Sequence, residues 1–317
     1  MRNSILLLTL LAALAADGGC KPISDRERLL AEIKEMGGTY RLDETRPDRP
    51  VVEVSVPEGS LSNGRLMRMS GWTELEKLKL RKTQITDTGI LYLKEMKRLR
   101  DLDLTGNIQV SDVGLGHIAE LAALEELRLT DTAVTDLGLR HLKRLSHLKV
   151  LRLGNAETPP SGPAGNPAML FGAGGTAISD LGLPNLRVLT ELELLDLGHT
   201  WVTDAGMVNL RRLPRLRMLD LNHTEIGDAG LVHLKKLATL EVLNLRHTKV
   251  TDAGLVNLKG LPALRVLDLS ETDIGDAGLA NLHGMASLKK LKIEKAKATA
   301  EGVKALVQAV PGCRVER

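Results

Sequence analysis

Three histidines stand 24 residues apart, His199, His223 and His247, and each is followed by threonine. Repeated imidazoles are the groups in this chain best suited to holding a transition metal or moving a proton. Zinc takes its nitrogen ligands at about 2.0–2.1 Å, whereas side chains on neighbouring strands start about 4.8 Å apart. The rings would have to tilt together, with an acid such as Asp220 completing the set. The plainer expectation is a solvent-facing histidine ladder with no metal and no cofactor. Other catalytic signatures are missing. No serine lies in G-x-S-x-G, there is no H-E-x-x-H, and no glycine run ends in G-K-(S/T). Cys20 and Cys313 are too few for a usual zinc site. No catalytic residue is assigned, and an enzyme is not expected.

The histidine spacing is the period of the chain. The stretch Leu240 to Ala263, LEVLNLRHTKVTDAGLVNLKGLPA, recurs in units opening at Leu75, Leu99, Leu124, Leu148, Leu192, Leu216, Leu264 and Leu288. A period in the low twenties with L-x-x-L-x-L spacing marks a solenoid in which each unit buries its leucines against the next. Leu243 and Leu245 show the alternation of a short strand with one buried face. Thr83, Thr132, Thr200, Thr224, Thr248 and Thr272 follow the strand, where their hydroxyls can satisfy turn backbone groups. Asp87, Asp136, Asp180, Asp204, Asp228, Asp252 and Asp276 stand where helices should begin, which predicts an N-cap for each. Leu255, Leu258 and Leu261 then line one helical face. Lys143, Arg144, Arg211, Arg212, Lys235 and Lys236 gather near the helix ends, as complements to the helix dipole. A nucleic-acid face is the lesser alternative for this basic column.

A solenoid grows in one dimension, so 317 residues need not mean several domains. Aromatic content of 2% leaves the core to Leu, Ile, Val and Ala. A net charge of +3 makes no case for a general polyanion partner, and nucleic acid is not expected. Arg2 followed by the apolar run Ile5 to Ala16 reads as an export signal over residues 1–20. Ala13-Leu14-Ala15 suits ordinary secretion, whereas Gly18-Gly19-Cys20 suits a lipoprotein lipidated on Cys20, although Asp17 departs from that pattern. The protein would then be secreted, periplasmic or lipid-anchored to the cell envelope, touching membrane only through that anchor. Residues 21–50 read as a capping helix and linker, with a capping box at Ser24 and Glu27 and a stop at Gly37-Gly38. A degenerate first unit covers 51–74, full units 75–311 and a closing strand 312–317. The unit from Leu148 carries an insertion over 157–175, rich in proline and glycine with Met169-Leu170-Phe171 near its middle. It reads as a flexible loop. Cys20 and Cys313 should lie about 45 Å apart along the stack, so no disulfide is expected.

The units resemble leucine-rich repeats of the cysteine-containing, F-box-associated type, with Thr in place of the usual Cys. They look most like the "TDAGL" repeats of bacterial and planctomycete envelope proteins. The resemblance covers residues 51–317 and implies an α/β solenoid, a horseshoe or arc with parallel strands on the concave face and helices on the convex face, that binds other proteins. The helix expected from Ser24 to Met36 is too short to be an F-box, so none is expected before the repeats.

The outward strand positions form columns on the expected concave face. Leu194, Met218, Val242 and Val266 make an apolar stripe. Asp196, Asp220, Asn244 and Asp268 run beside it, and His199, His223 and His247 lie at the strand ends. Further towards the N-terminus, Lys77, Lys79, Arg81 and Lys82 make a basic unit. An apolar stripe flanked by charge suits a protein or peptide partner, although strand positions also favour such residues for local reasons. The expectation is a monomeric, non-enzymatic exported binding protein. A cell-envelope spacer is the alternative, and a substrate-receptor relative lacking its F-box another.

Overall fold

The computed structural model describes residues 24–156 and 175–317. The export segment with Cys20, and the insertion apart from Gly175, lie outside the described residues.

Among the described residues, twelve strands form one sheet in which spatial order equals sequence order. The strand Thr39–Leu42 pairs antiparallel with Val51–Ser55. From Val51–Ser55 onward every neighbour is parallel, ending with Lys290–Lys292 against Arg314–Glu316. The repeat strands are three residues long, and each points its central side chain inward. Leu195, Leu219, Leu243 and Leu267 are buried, with both neighbours on the opposite face. That is the two-residue alternation of a pleated strand. One continuous core runs from Leu29 to Cys313. Leu243 is wholly buried, and truncating such a side chain to alanine costs about 2–5 kcal/mol.

The threonine column closes the turn after each strand. The Oγ1 atoms of Thr132, Thr200, Thr224 and Thr248 donate to the carbonyls of Leu129, Leu197, Leu221 and Leu245 at 2.6–2.7 Å. In the longer unit Asn107 takes over, donating from Nδ2 to Leu80 O at 2.6 Å and Leu104 O at 2.8 Å. A buried carbonyl without a partner would cost about 1–3 kcal/mol, which is why the position is polar inside a leucine core.

A helix covers the N-terminal end of the stack. The helix Asp25–Glu35 (α1) starts with a complete capping box at Ser24 and Glu27 and buries Leu29, Leu30 and Ile33. At the other end the helix Ala300–Ala309 precedes the last strand. Cys313 is buried there, and burial pushes its thiol pKa up, as suits a packing residue.

Two sequence expectations are corrected. The connecting elements are short; Asp87–Leu91, Asp112–Ile118, Asp228–Leu231 and Asp276–Asn281 are α-helical as expected, whereas others are tighter. Gly138–Arg144, Leu183–Val188, Gly206–Arg212, Val232–Lys236 and Gly254–Gly260 are 3₁₀ helices. A 3₁₀ helix rises about 2.0 Å per residue against 1.5 Å for an α-helix, so few residues span the return path.

The aspartates do not cap their own turns. Each reaches into the following unit. Asp87 Oδ1 accepts the Ser111 N–H at 2.8 Å and the Gly114 N–H at 2.9 Å, while its Oδ2 accepts the Ser111 hydroxyl at 2.6 Å. Asp112 serves Thr135, Asp180 serves Thr203 and Asp276 serves Thr299 in the same way. The local cap is the preceding residue, as where the Ser111 Oγ accepts from Val113 N at 3.2 Å. This interlock explains the glycine of D-x-G. A Cβ on Gly114 would lie 2.4 Å from Asp87 Oδ1, and one on Gly254 2.2 Å from Asp228 Oδ1. Asn63 fills the aspartate's role in the degenerate first unit, accepting from the Thr86 N–H at 3.1 Å.

Candidate functional site

The strand register brings the two outward columns together. Leu194 pairs with Met218, Met218 with Val242 and Val242 with Val266. Asp196, Asp220, Asn244 and Asp268 follow in the same order. Val150 and Arg152 extend the columns by one strand. Met218 is 42% exposed and is the most open point of the stripe, where Leu194, Val242 and Val266 are half-buried. A shallow depression over four strands is lined by Arg152, Leu194, Asp196, Met218, Asp220, Val242 and Asn244.

The carboxylates of this face have two uses. One oxygen of each closes the turn two residues on: Asp196 Oδ1 accepts from Gly198 N at 3.1 Å, Asp220 Oδ1 from Asn222 N at 3.0 Å and Asp268 Oδ1 from Ser270 N at 3.0 Å. The other oxygen faces a neighbouring strand. Asp196 Oδ2 accepts from Arg152 at 3.1 Å, and Lys292 stands 3.4 Å from Asp268. Asp220 Oδ2 accepts only the Asn244 amide at 3.1 Å, and Asp220 has no cation partner among the described residues. Burial, and then the charge of Asp220, raise the Asp196 pKa above the usual carboxylate range. Asp268 is nearly buried and contributes less surface than the sequence reading supposed.

The histidines form a stack. The His199 and His223 ring centroids are 4.1 Å apart at 15°, and those of His223 and His247 4.4 Å apart at 16°. All three backbones are left-handed, with φ of 55°, 52° and 51°. His223 Nδ1 lies 3.0 Å from Asn222 Oδ1 and His247 Nδ1 3.2 Å from Glu271 Oε2, so both Nδ1 atoms act as donors. His199 Nδ1 is buried without a partner among the described residues. Burial lowers the pKa of His199 and of His223, and in His223 the neighbouring rings add to it.

His223, His247 and Glu271 are close enough to suggest a cation site, and it is Glu271 rather than Asp220 that joins them. Glu271 is already held by Lys295 at 2.9 Å and Arg246 at 2.8 Å. The Lys295 hydrogen bond and then the Arg246 charge bring its pKa down to about 2. The His223 and His247 rings are nearly parallel, so the arrangement is a ring stack beside a carboxylate committed to two cations. Glu271 was missed in the sequence because it occupies the histidine position of its own unit.

A sequence model of the family described as Leucine Rich repeat matches residues 214–235, 236–259 and 261–282. Those three segments are leucine-rich repeats, in a chain that folds as a leucine-rich-repeat solenoid. Among solved structures, an internalin (InlF) from Listeria monocytogenes is similar, with a TM-score of 0.57 and 19% identity over 79% of this chain and 69% of that one. An internalin C2 from the same organism gives a TM-score of 0.47 and 21% identity over 78% of this chain and 81% of that one. At 19% identity the likeness to the InlF structure is one of fold alone. No curated protein matches the sequence. Among the described residues no helix is long and apolar enough to cross a membrane.

Proposed function

We propose that these leucine-rich repeats form a non-enzymatic binding protein whose strand face holds a protein or peptide partner. The supporting observation is the register that sets Leu194, Met218 and Val242 side by side against Asp196 and Asp220. Interface energy concentrates on a few apolar anchors near the centre of a patch, and Met218 is the most exposed of these. Asp220, without a cation partner among the described residues, supplies charge selection. The stacked histidines form the edge of the same face.

A photo-crosslinker at position 218 would capture the partner and identify it. Met218→Ser with Val242→Ser should then weaken its binding more than about tenfold, or 1.4 kcal/mol. Asp220→Lys should act mainly on association rate and salt dependence. A verified partner that binds the serine double variant as tightly as the parent would overturn the assignment. The competing reading is a spacer whose repeats serve shape alone. It draws on the turn-closing bonds of Asp196, Asp220 and Asp268, and it predicts no captured partner.

Export is part of the proposal and rests on Arg2 and the run Ile5 to Ala16. The intact mass of native material decides the route. A lipid-modified chain starting at Cys20 supports an envelope lipoprotein, a chain starting at Ala16 supports secretion, and retention of Met1 refutes both.

A further inference from the structure

We propose that the helix side of the units between Leu124 and Ala263 docks on an anionic lipid bilayer. Lys143 with Arg144, Arg211 with Arg212, and Lys235 with Lys236 are exposed and join no ion pair among the described residues. Arg140, Arg187 and Lys259 extend the row on the same terms. Cations elsewhere are mostly paired: Arg128 with Asp101, Arg152 with Asp196, Arg215 with Glu191 and Arg217 with Glu241. The near-neutral balance of the whole chain therefore conceals a segregation, because the acids are used on the strand face and between units.

The dipole account of the basic row does not suffice. These elements are 3₁₀ segments of only 5–7 residues, one of them continuing the α-helical turn Asp228–Leu231, and so few aligned peptides sum to a small dipole. Exposed aliphatic side chains stand on these elements or just before them. Leu137 is 68% and Leu181 77% exposed, and Val232 and Val256 are 49% and 50% exposed. Val232 precedes Lys235, and Val256 precedes Lys259, by one 3₁₀ turn, so apolar and basic rows lie side by side. A hollow on this side is lined by Gly116, Arg140, His141, Lys143 and Arg144, with no acid among them. Burial, and then the charge of Arg140, lower the His141 pKa.

Apolar side chains beside unpaired Lys and Arg match the two layers of a bilayer interface, acyl boundary and anionic headgroup. A polynucleotide would use the cations but not the aliphatic row. Single strands also favour aromatic platforms, and this chain has one Phe, two Trp and two Tyr.

The test is flotation of the full chain with vesicles of phosphatidylcholine alone, or with about a third phosphatidylglycerol. Anionic vesicles should bind at least roughly tenfold more tightly, with the advantage shrinking as salt rises. Lys143→Glu with Arg211→Glu and Lys235→Glu should abolish that preference. These positions are exposed, so circular dichroism and melting should match the parent. Val232→Ser with Val256→Ser should weaken anionic-vesicle binding by about threefold or more. Comparing two lipid compositions cancels any contribution from an N-terminal anchor. Equal binding to both vesicles, or a retained preference in the charge-reversed variant, overturns the proposal. Binding to a DNA duplex as tight as to vesicles, unchanged in the valine variant, overturns it in favour of a nucleic acid.

Discussion

Asp228 holds Thr251, one repeat away. Its Oδ1 accepts the Thr251 N–H at 2.8 Å and its Oδ2 the Thr251 hydroxyl at 2.6 Å. Thr251 in turn precedes Asp252, which accepts the Gly275 N–H at 2.7 Å. The Thr-Asp pair is thus a two-sided coupling, receiving from one unit and giving to the next. In a solenoid, stability is roughly a sum of unit terms and neighbour terms, and this pair belongs to the neighbour term.

Asp228→Ala should therefore cost about 1.5–3 kcal/mol, the range for hydrogen bonds to a charged group. Thr251→Val should lose less, keeping the amide bond. A double-mutant cycle between the two positions should show coupling above about 0.5 kcal/mol. Leu243→Ala, which opens a buried cavity, should exceed either at about 2–5 kcal/mol. Chemical denaturation that ranked the aspartate above the leucine would contradict the assignment of coupling and core.

Two units lack the hydroxyl. Gly227 and Gly275 stand where Thr or Ser stands elsewhere, and each gives only its N–H to the preceding aspartate, at 2.7 Å. Their φ values, −121° and −110°, suit any residue. A Cβ on Gly227 would find its nearest neighbour, Asp204 Oδ2, at 3.4 Å. Gly227→Thr should stabilise by about 0.5–1.5 kcal/mol, through reduced chain entropy and a new hydroxyl bond. Gly254→Ala should do the reverse, because its Cβ would strike Asp228 Oδ1. The denaturation midpoints of the two variants should move in opposite directions.

His199, His223 and His247 share a left-handed backbone with Lys82, Asp131, Glu271 and Lys295. Left-handed backbone costs about 1–2 kcal/mol for a residue with a Cβ. His223→Gly should therefore leave stability within about 1 kcal/mol of the parent despite losing the stack. His223→Val should destabilise clearly, since branching at Cβ worsens the clash. If the glycine variant also keeps full partner affinity, the ladder is not part of the binding edge.

The stack should also weaken the fold in mild acid. His199 and His223 have lowered pKa values, so below the ordinary histidine range the unfolded chain takes up protons that the folded chain resists. Their stabilising contribution is full above that range and is lost as pH falls through it towards the folded values. His199→Asn with His223→Asn, residues that tolerate the left-handed backbone, should flatten the urea midpoint between neutral pH and pH ~5.5 relative to the parent. An unchanged pH slope would show that the rings titrate normally.

Much of this protein is legible without coordinates, because it is local. Side-chain alternation along a strand depends on nothing beyond the strand, so Leu243 and Leu245 declare the buried face and Met218 and Asp220 the open one. Repetition then sets the parallel register, since identical units stack most simply in identical order. The threonine column was legible for the same reason: Thr224 bonds Leu221, three residues back. What the tertiary structure decided involves distances between units. Thr251 and Asp252 are adjacent in the chain, yet their hydrogen bonds point to opposite neighbours across the stack, and only the packed geometry shows that the aspartate caps the next turn instead of its own. The choice between 3₁₀ and α for the return path differs between units of equal length, as Gly254–Gly260 and Asp276–Asn281 show, so the repeat period alone does not set it. Which cations are paired depends equally on packing: Arg152 lies beside Asp196 because strands 44 residues apart are neighbours, whereas Arg211 and Lys235 face outward with no acid in reach among the described residues. Sequence spacing sets which side chains share a column, and the stacking of columns in three dimensions sets what each side chain meets.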